Sequence, residues 1–237
     1  MQEQPRRSLR FEPLEPKHLM AGNVTVTLTG VNLLVSGDDA ANQIAITAGD
    51  APDTLVVRGL QGTTVTLAGS TTPAPVTGLV VPNVRGHVRV ETGGGNDEVS
   101  VTDLELRRRL SLQTGDGNDQ VALQDVSVGG LLSIAAGAGN DTVRLGPQNA
   151  PAGPLQSYAD ASVKSALAID VLLGDGEDTA TLASTAARGA VVVAGGMGAD
   201  AFGFDSVRAS VLAAIGGEGD GADTIQAAHA RALAGVF

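Results

Sequence analysis

Three features of the sequence predict an all-β fold, a right-handed parallel β-helix or β-roll-like solenoid with about 22 residues per rung. The first is a strict repeat. Val88-Arg89-Val90 leads into Gly93-Gly94-Gly95-Asn96-Asp97 and out through Val99-Ser100-Val101; the same pattern returns around Gly115-Asp116-Gly117-Asn118-Asp119 and around Gly137-Ala138-Gly139-Asn140-Asp141. Asp97, Asp119 and Asp141 are spaced 22 residues apart. The second is alternation: apolar and polar residues take turns on both sides of each glycine loop, the period-2 signature of half-buried strands. The third is composition. There are 32 Gly and no Trp, with one Tyr and four Phe, so the interior must be filled by stacked Val, Leu, Ile and Ala rather than by aromatic bulk.

A single copy has one apolar face and nothing to bury it against. Stacking copies about 4.8 Å apart along the hydrogen-bonding direction closes a continuous interior and places equivalent loop residues in a column. The carboxylates of Asp97, Asp119 and Asp141 would then stand in a row.

The wider composition narrows the partners. A formal net charge of -11 argues against nucleic acid and anionic membranes as partners and permits cations. The absence of Cys removes disulfides and thiolate metal sites. No apolar run approaches the roughly 20 residues of a membrane span.

Residues 1–22 differ from the rest. Arg6, Arg7, Arg10, Lys17 and His18 gather positive charge, and Pro5, Pro13 and Pro16 oppose regular structure, so a disordered N-terminal arm is expected. Its stretch Arg10-Phe11-Glu12-Pro13-Leu14-Glu15-Pro16-Lys17-His18-Leu19-Met20-Ala21-Gly22 resembles the LEPR-XLL segment that opens many bacterial surface or exported repeat proteins, with Lys17 where that pattern has Arg. The resemblance implies a secreted or cell-surface location.

Residues 23–237 read as a single solenoid domain of about eight to nine rungs. Ile44 and Ile46 precede Asp53 as Val88 and Val90 precede Asp97, which places a half-formed loop at Gly49 to Asp53. A rung through Thr64 to Val81 then carries Ser70 to Pro75 in place of glycine and aspartate. After the three good copies, 37 residues separate Asp141 from Asp178; the excess falls in an inserted loop at 146–166, with a short helix as one alternative over Tyr158 to Lys164. The period resumes with loops ending at Asp178, Asp200 and Asp223, the last one residue longer. Residues 225–237 are Ala-rich and read as a C-terminal cap, helical in form.

The loop Gly-x-Gly-Asn-Asp-x-apolar, clearest at Gly93 to Val99, Gly115 to Val121 and Gly137 to Val143, resembles the nonapeptide of haemolysin-type, repeats-in-toxin calcium-binding proteins. In that family aspartates and glycine-loop carbonyls of neighbouring turns share calcium. Carried onto this chain, the resemblance implies ligands at Asp97, Asp119, Asp141, Asp178, Asp200 and Asp223. The supporting loop backbones are those of Gly93 and Gly95, Gly115 and Gly117, Gly137 and Gly139, Gly174 and Gly176, Gly196 and Gly198, and Gly217 and Gly219. This chain departs from the family in having one loop per 22 residues rather than nonapeptides back to back, which implies one column on one corner and about two to four ions.

Elementary electrostatics points to a cation as well. Two carboxylates about 5 Å apart repel by roughly 1 kcal/mol in water and about 3 to 4 kcal/mol at an effective dielectric of 20. Calcium, a hard ion that takes 6–8 oxygens, suits aspartates and glycine carbonyls better than magnesium or zinc does. The competing reading is that Asp and Asn only shape the turns, since both bond their own backbone and tolerate left-handed geometry. That reading gives a metal-independent structural solenoid.

Catalysis has little support. His18, His87 and His229 are scattered, and Arg107-Arg108-Arg109 reads as a solvated corner. A polysaccharide-active β-helix enzyme is the remaining catalytic alternative. The glycine loops lack the Lys-Ser/Thr of a phosphate loop and precede strands rather than helices. The sequence therefore predicts a non-enzymatic, calcium-binding structural or adhesive module, with calcium ions and cell-surface or matrix polymers as partners.

Overall fold

The computed structural model describes residues 22–147, 155, 157–217 and 221–236. These residues are all-β: nineteen strands and one 3-10 turn, with no α-helix among them, joined in a single large sheet of mixed parallel and antiparallel pairs.

Most of that sheet consists of three rows of parallel strands. The row entering the glycine loops contains β2 (Asn32–Ser36), β7 (Val88–Gly94), β9 (Leu110–Asp116), β11 (Leu132–Ala138), β14 (Ile169–Asp175) and β16 (Ala190–Met197). It ends on the last part of β17 (Ala201–Ile215) and on β19 (Arg231–Val236). Its register is Leu33 beside Val88, Leu110, Leu132, Ile169 and Val191 in succession.

The row leaving the loops contains β3 (Gln43–Ala48), β8 (Glu98–Leu106), β10 (Gln120–Val128), β12 (Thr142–Leu145), β15 (Thr179–Ala187), the start of β17, and β18 (Thr224–Ala228). The third row is made by the far ends of β8, β10 and β15, by β13 (Val163–Ser165) and by the middle of β17. Between the second and third rows the chain bends at Asp103, Asp125, Ser184 and Ser206, all with positive φ, so this corner is turned without glycine.

The alternation in sequence becomes alternation in burial. Val99, Val101, Leu104 and Leu106 of β8 point inward, as do Val121, Leu123, Val126 and Val128 one period on. One core cluster runs from Val24 to Ala214, with Phe202 and Phe204 its bulkiest members. Each fully buried Val, Leu or Ile is worth roughly 1.5 to 3 kcal/mol of transfer free energy.

The start of the chain differs from the sequence expectation. Ile44 and Ile46 lie beside Val99 and Val101, not beside Val88 and Val90, and the strand equivalent to β7 is β2. The first loop is therefore Gly37 to Asn42, and Asp53 is not part of the column. Asp53 instead sits at a positive-φ turn and pairs with Arg85 and Arg107. The reason is that the period is interrupted by hairpins. β1 (Asn23–Thr29) folds back antiparallel on β2, β4 (Leu55–Gly59) folds back on β3, and β6 (Leu79–Val81) pairs antiparallel with β4. β5 (Thr64–Leu67) runs parallel to β1. These strands cover the first edge of the two loop-flanking rows, which would otherwise present unpaired N–H and C=O groups.

Two further expectations change. Part of the inserted segment is strand: Val163 and Ser165 of β13 are buried and lie beside Val126 and Val128. The helical alternative there is reduced to a 3-10 turn at Tyr158–Asp160, and residues 148–154 and 156 lie outside the described residues. The end of the chain is not a helical cap; 224–228 and 231–236 are β18 and β19, both parallel to β17. The free edge of β17 offers a full set of backbone partners, and pairing to it overrides the helix preference of alanine.

Candidate metal site

The loops between the first two rows carry the aspartates, and the parallel register stacks them. Asp97, Asp119, Asp141, Asp178 and Asp200 are each no more than 2% exposed. The backbone N–H of each donates to Oδ1 of the next: Asp97 to Asp119 and Asp119 to Asp141 at 2.8 Å, Asp141 to Asp178 at 2.7 Å, Asp178 to Asp200 and Asp200 to Asp223 at 3.0 Å. All six sequence-predicted aspartates therefore belong to one continuous ladder. Although 37 residues separate Asp141 from Asp178, the insertion leaves the corner intact.

The paired asparagines form a second ladder, which the sequence reading did not assign. Asn96 Oδ1 accepts from the Asn118 N–H at 2.9 Å, Asn118 Oδ1 from Asn140 at 2.7 Å, and Asn140 Oδ1 from Glu177 at 3.0 Å. The two ladders run in opposite senses. Each Asn side chain reaches forward to the next copy and each Asp side chain reaches back to the previous one, so an Asn-Asp pair fastens a loop to both neighbours. The strict spacing of Asn96, Asn118 and Asn140 is the sequence signal that marks this ladder.

Glycine lets the loops approach closely enough. From Gly93 to Gly198 the first and third loop glycines have positive φ. At Gly117, with φ 136, an added Cβ would lie 1.9 Å from the Gly95 carbonyl oxygen. Gly217 meets Gly196 in the same way, and Gly219 lies outside the described residues.

The ladder leaves one atom per copy unsatisfied. Oδ2 of Asp97, Asp119, Asp141, Asp178 and Asp200 is buried without a hydrogen-bond partner. The surroundings of that atom can be read from Asn42, which occupies the column position before Asp97 and whose N–H donates to Asp97 Oδ1 at 2.7 Å. Asn42 Nδ2 donates to the carbonyls of Asp38, Ala40 and Thr92 at 2.9, 2.7 and 3.1 Å. By register the corresponding carbonyls at Asp97 are those of Gly93, Gly95 and Thr114. A donor nitrogen among carbonyls is replaced there by a carboxylate oxygen among carbonyls. Such a cluster of acceptors calls for a cation or a proton.

Electrostatics agrees. Burial pushes the Asp97 and Asp178 carboxyls up to about 6 and Asp141 up to about 7, reinforced by neighbouring aspartates in the column. Burial raises Asp119 and Asp200 as well. Beside Asp97 and Asp119, the Thr92 and Thr114 hydroxyls favour the charged form, yet they donate to the Thr114 and Ala136 carbonyls at 3.0 Å and leave Oδ2 unpartnered. At Asp141 the equivalent position is Ala136, and the hydroxyl is gone.

The donor set fits calcium: hard oxygens, anionic and carbonyl, repeated at each step of a column. Among the described residues no three acidic or histidine side chains converge on one point, so a calcium ion in the column would have to draw on fewer carboxylates and on loop carbonyls. No protein-family model matches the sequence, and comparison with curated proteins and with solved structures gives no significant match.

Proposed function

We propose that this chain is a calcium-stabilised structural or adhesive module of an exported or cell-surface protein, its three parallel rows wound as a right-handed β-helix or β-roll-like solenoid. The observation that carries the calcium reading is the row of buried, unpartnered Oδ2 atoms, each in a position where Asn42 places a donor among loop carbonyls. Calcium between successive loops would neutralise the column and supply what Oδ2 lacks. The LEPR-XLL-like segment at Arg10 to Gly22 supports the exported location.

The test is a melting curve with calcium and with chelator. At tenfold excess over Kd one ion adds about 1.4 kcal/mol, so two sites would raise Tm by about 5 to 10 °C. Asp119→Ala should abolish most of that gain. A second reading, a metal-independent solenoid whose ladder holds protons, is favoured by the raised carboxyl pKa values and by the absence of a three-carboxylate cluster among the described residues. Melting that ignores both calcium and chelator selects it.

A further inference from the structure

The corner at which the third row returns to the first gathers arginine. Arg85 and His87 lie just before β7, Arg107, Arg108 and Arg109 join β8 to β9, and all five are exposed. The Val88 N–H donates to the Arg109 carbonyl at 3.0 Å, and Val88 lies beside Leu110, so Arg85 is level with Arg107 and His87 with Arg109. We propose that this corner binds a linear polysaccharide bearing carboxylate or sulfate groups, gripped by Arg108 and Arg109 with Arg85 and Arg107 beside them. The inference gives a site to the adhesive part of the preceding reading, on which it rests; it does not rest on calcium.

Three observations support it. The first is concentration: Arg85, Arg89, Arg107, Arg108 and Arg109 are five of the chain's 15 Lys and Arg, and two adjacent copies bring them to one corner of a body whose net charge is -11. The second is that the corner already holds a carboxylate. Asp53 Oδ2 accepts from Arg85 Nε at 2.8 Å and Oδ1 from Arg107 Nε at 3.3 Å, one oxygen to each copy. Both arginines are engaged through Nε and their side chains remain 59% and 72% exposed, so that pairing does not close the corner. The third is access. By register Gly129 and Gly130 of the next copy stand level with Arg107 and Arg108, packed so closely that an added Cβ at Gly129 would lie 2.5 Å from the Arg107 carbonyl oxygen. The next copy therefore has no side chain at these two positions to cover the arginines.

The surroundings select the ligand and its direction. Along the strands the positive face is bounded by acids: Glu91, which pairs with Arg89, on one side, and Asp103 and Glu105, which line a groove with Asp50, on the other. A ligand therefore crosses the strands, over Gly129 and Gly130, rather than following one of them. Guanidinium forks match the paired oxygens of carboxylate and sulfate. The corner backbone is already bonded within the sheet, Leu33 to His87 at 2.9 Å and Leu110 to Leu131 at 3.1 Å, so a peptide cannot add here as a strand. A sugar chain with anions at regular intervals needs only the side chains. A nucleic acid would extend its dense charge over the acidic body, which repels it.

The experiment measures binding of short oligogalacturonate and of dextran sulfate to the full chain by titration calorimetry, with neutral dextran, oligoglutamate and an oligothymidylate as comparisons, in chelator and again in calcium. One or both anionic glycans should bind, more weakly at high salt, and neutral dextran should not. Which of the two binds identifies carboxylate or sulfate as the recognised group. Arg108→Gln and Arg109→Gln, both at exposed positions, should each weaken binding about tenfold, the loss of one charge-assisted hydrogen bond, with an unchanged melting curve. Arg144→Gln, an equal change of net charge on the second row, should leave binding as it was. Four results would each overturn the proposal: no binding of either glycan by a chain that melts normally, unchanged binding in both corner variants, an equal loss in Arg144→Gln, or tighter binding of oligoglutamate or oligothymidylate. A calcium-independent melting curve together with glycan binding would remove the calcium reading and leave this one standing; calcium-dependent melting without glycan binding would do the reverse.

Discussion

Asn42 and Asp119 hold the same place in two loops of the column, with Asp97 between them, but satisfy it differently, and the difference yields two predictions. Asp119→Asn keeps an Oδ1 to accept the Asp97 N–H and supplies a donor where Oδ2 had none, as Asn42 does for its own loop carbonyls. It should therefore fold, melt in chelator at or above the wild-type temperature, and lose part of any calcium-dependent gain; a large loss of stability in chelator would show that the charge itself is needed. Protonation gives the second prediction. Because the folded pKa values of Asp97, Asp141 and Asp178 are raised from 3.8 to between about 6 and about 7, the folded chain holds more protons than the unfolded chain across that window. Stability in chelator should thus fall as pH rises from about 4 to above 7. Calcium, which prefers the carboxylates, should restore stability on the neutral side. Thermal melting at pH 5 and pH 8, with and without calcium, checks both signs.

At the scale of the strand and loop, stability depends on backbones that approach closely at one corner. Gly117→Ala would push a methyl group into the Gly95 carbonyl at 1.9 Å from a positive-φ position, and a loss of about 3 kcal/mol or more is expected in urea denaturation. Gly94→Ala, in the same kind of loop, meets nothing closer than 3.7 Å and should cost under about 0.5 kcal/mol. Equal effects would remove close stacking as the reason for the glycines. The parts of the molecule built this way were legible in the sequence, because a 22-residue repeat with alternating apolar residues fixes both strand and register. The loop aspartates were legible for the same reason. The first loop was missed because its partner lies 55 residues away, which is no multiple of the period: Leu33, Val35, Asn42, Ile44 and Ile46 match Val88, Val90, Asp97, Val99 and Val101 only after the hairpins between them are set aside.

Over the whole molecule, the two ends of the stack are unlike. At the first end β1 and β4 lie antiparallel along β2 and β3, so both rows that flank the loops have an outer partner. At the other end β18 pairs on one side only among the described residues, and all five of its side chains are exposed. In a stack where each copy touches only its neighbours, local opening is cheapest where one neighbour is missing. Hydrogen exchange in the 237-residue chain should therefore be fastest in β18, slower through β15, and slowest in β8 and β10, whose inward Val and Leu side chains are buried from both sides. Calcium, if it bridges successive loops, should slow exchange at the Asp97 to Asp200 backbone amides more than at β18, because those amides are the donors that hold the ladder. Uniform protection from β8 to β18 would mean that the molecule opens as one unit, and the neighbour-by-neighbour account of its stability would fail.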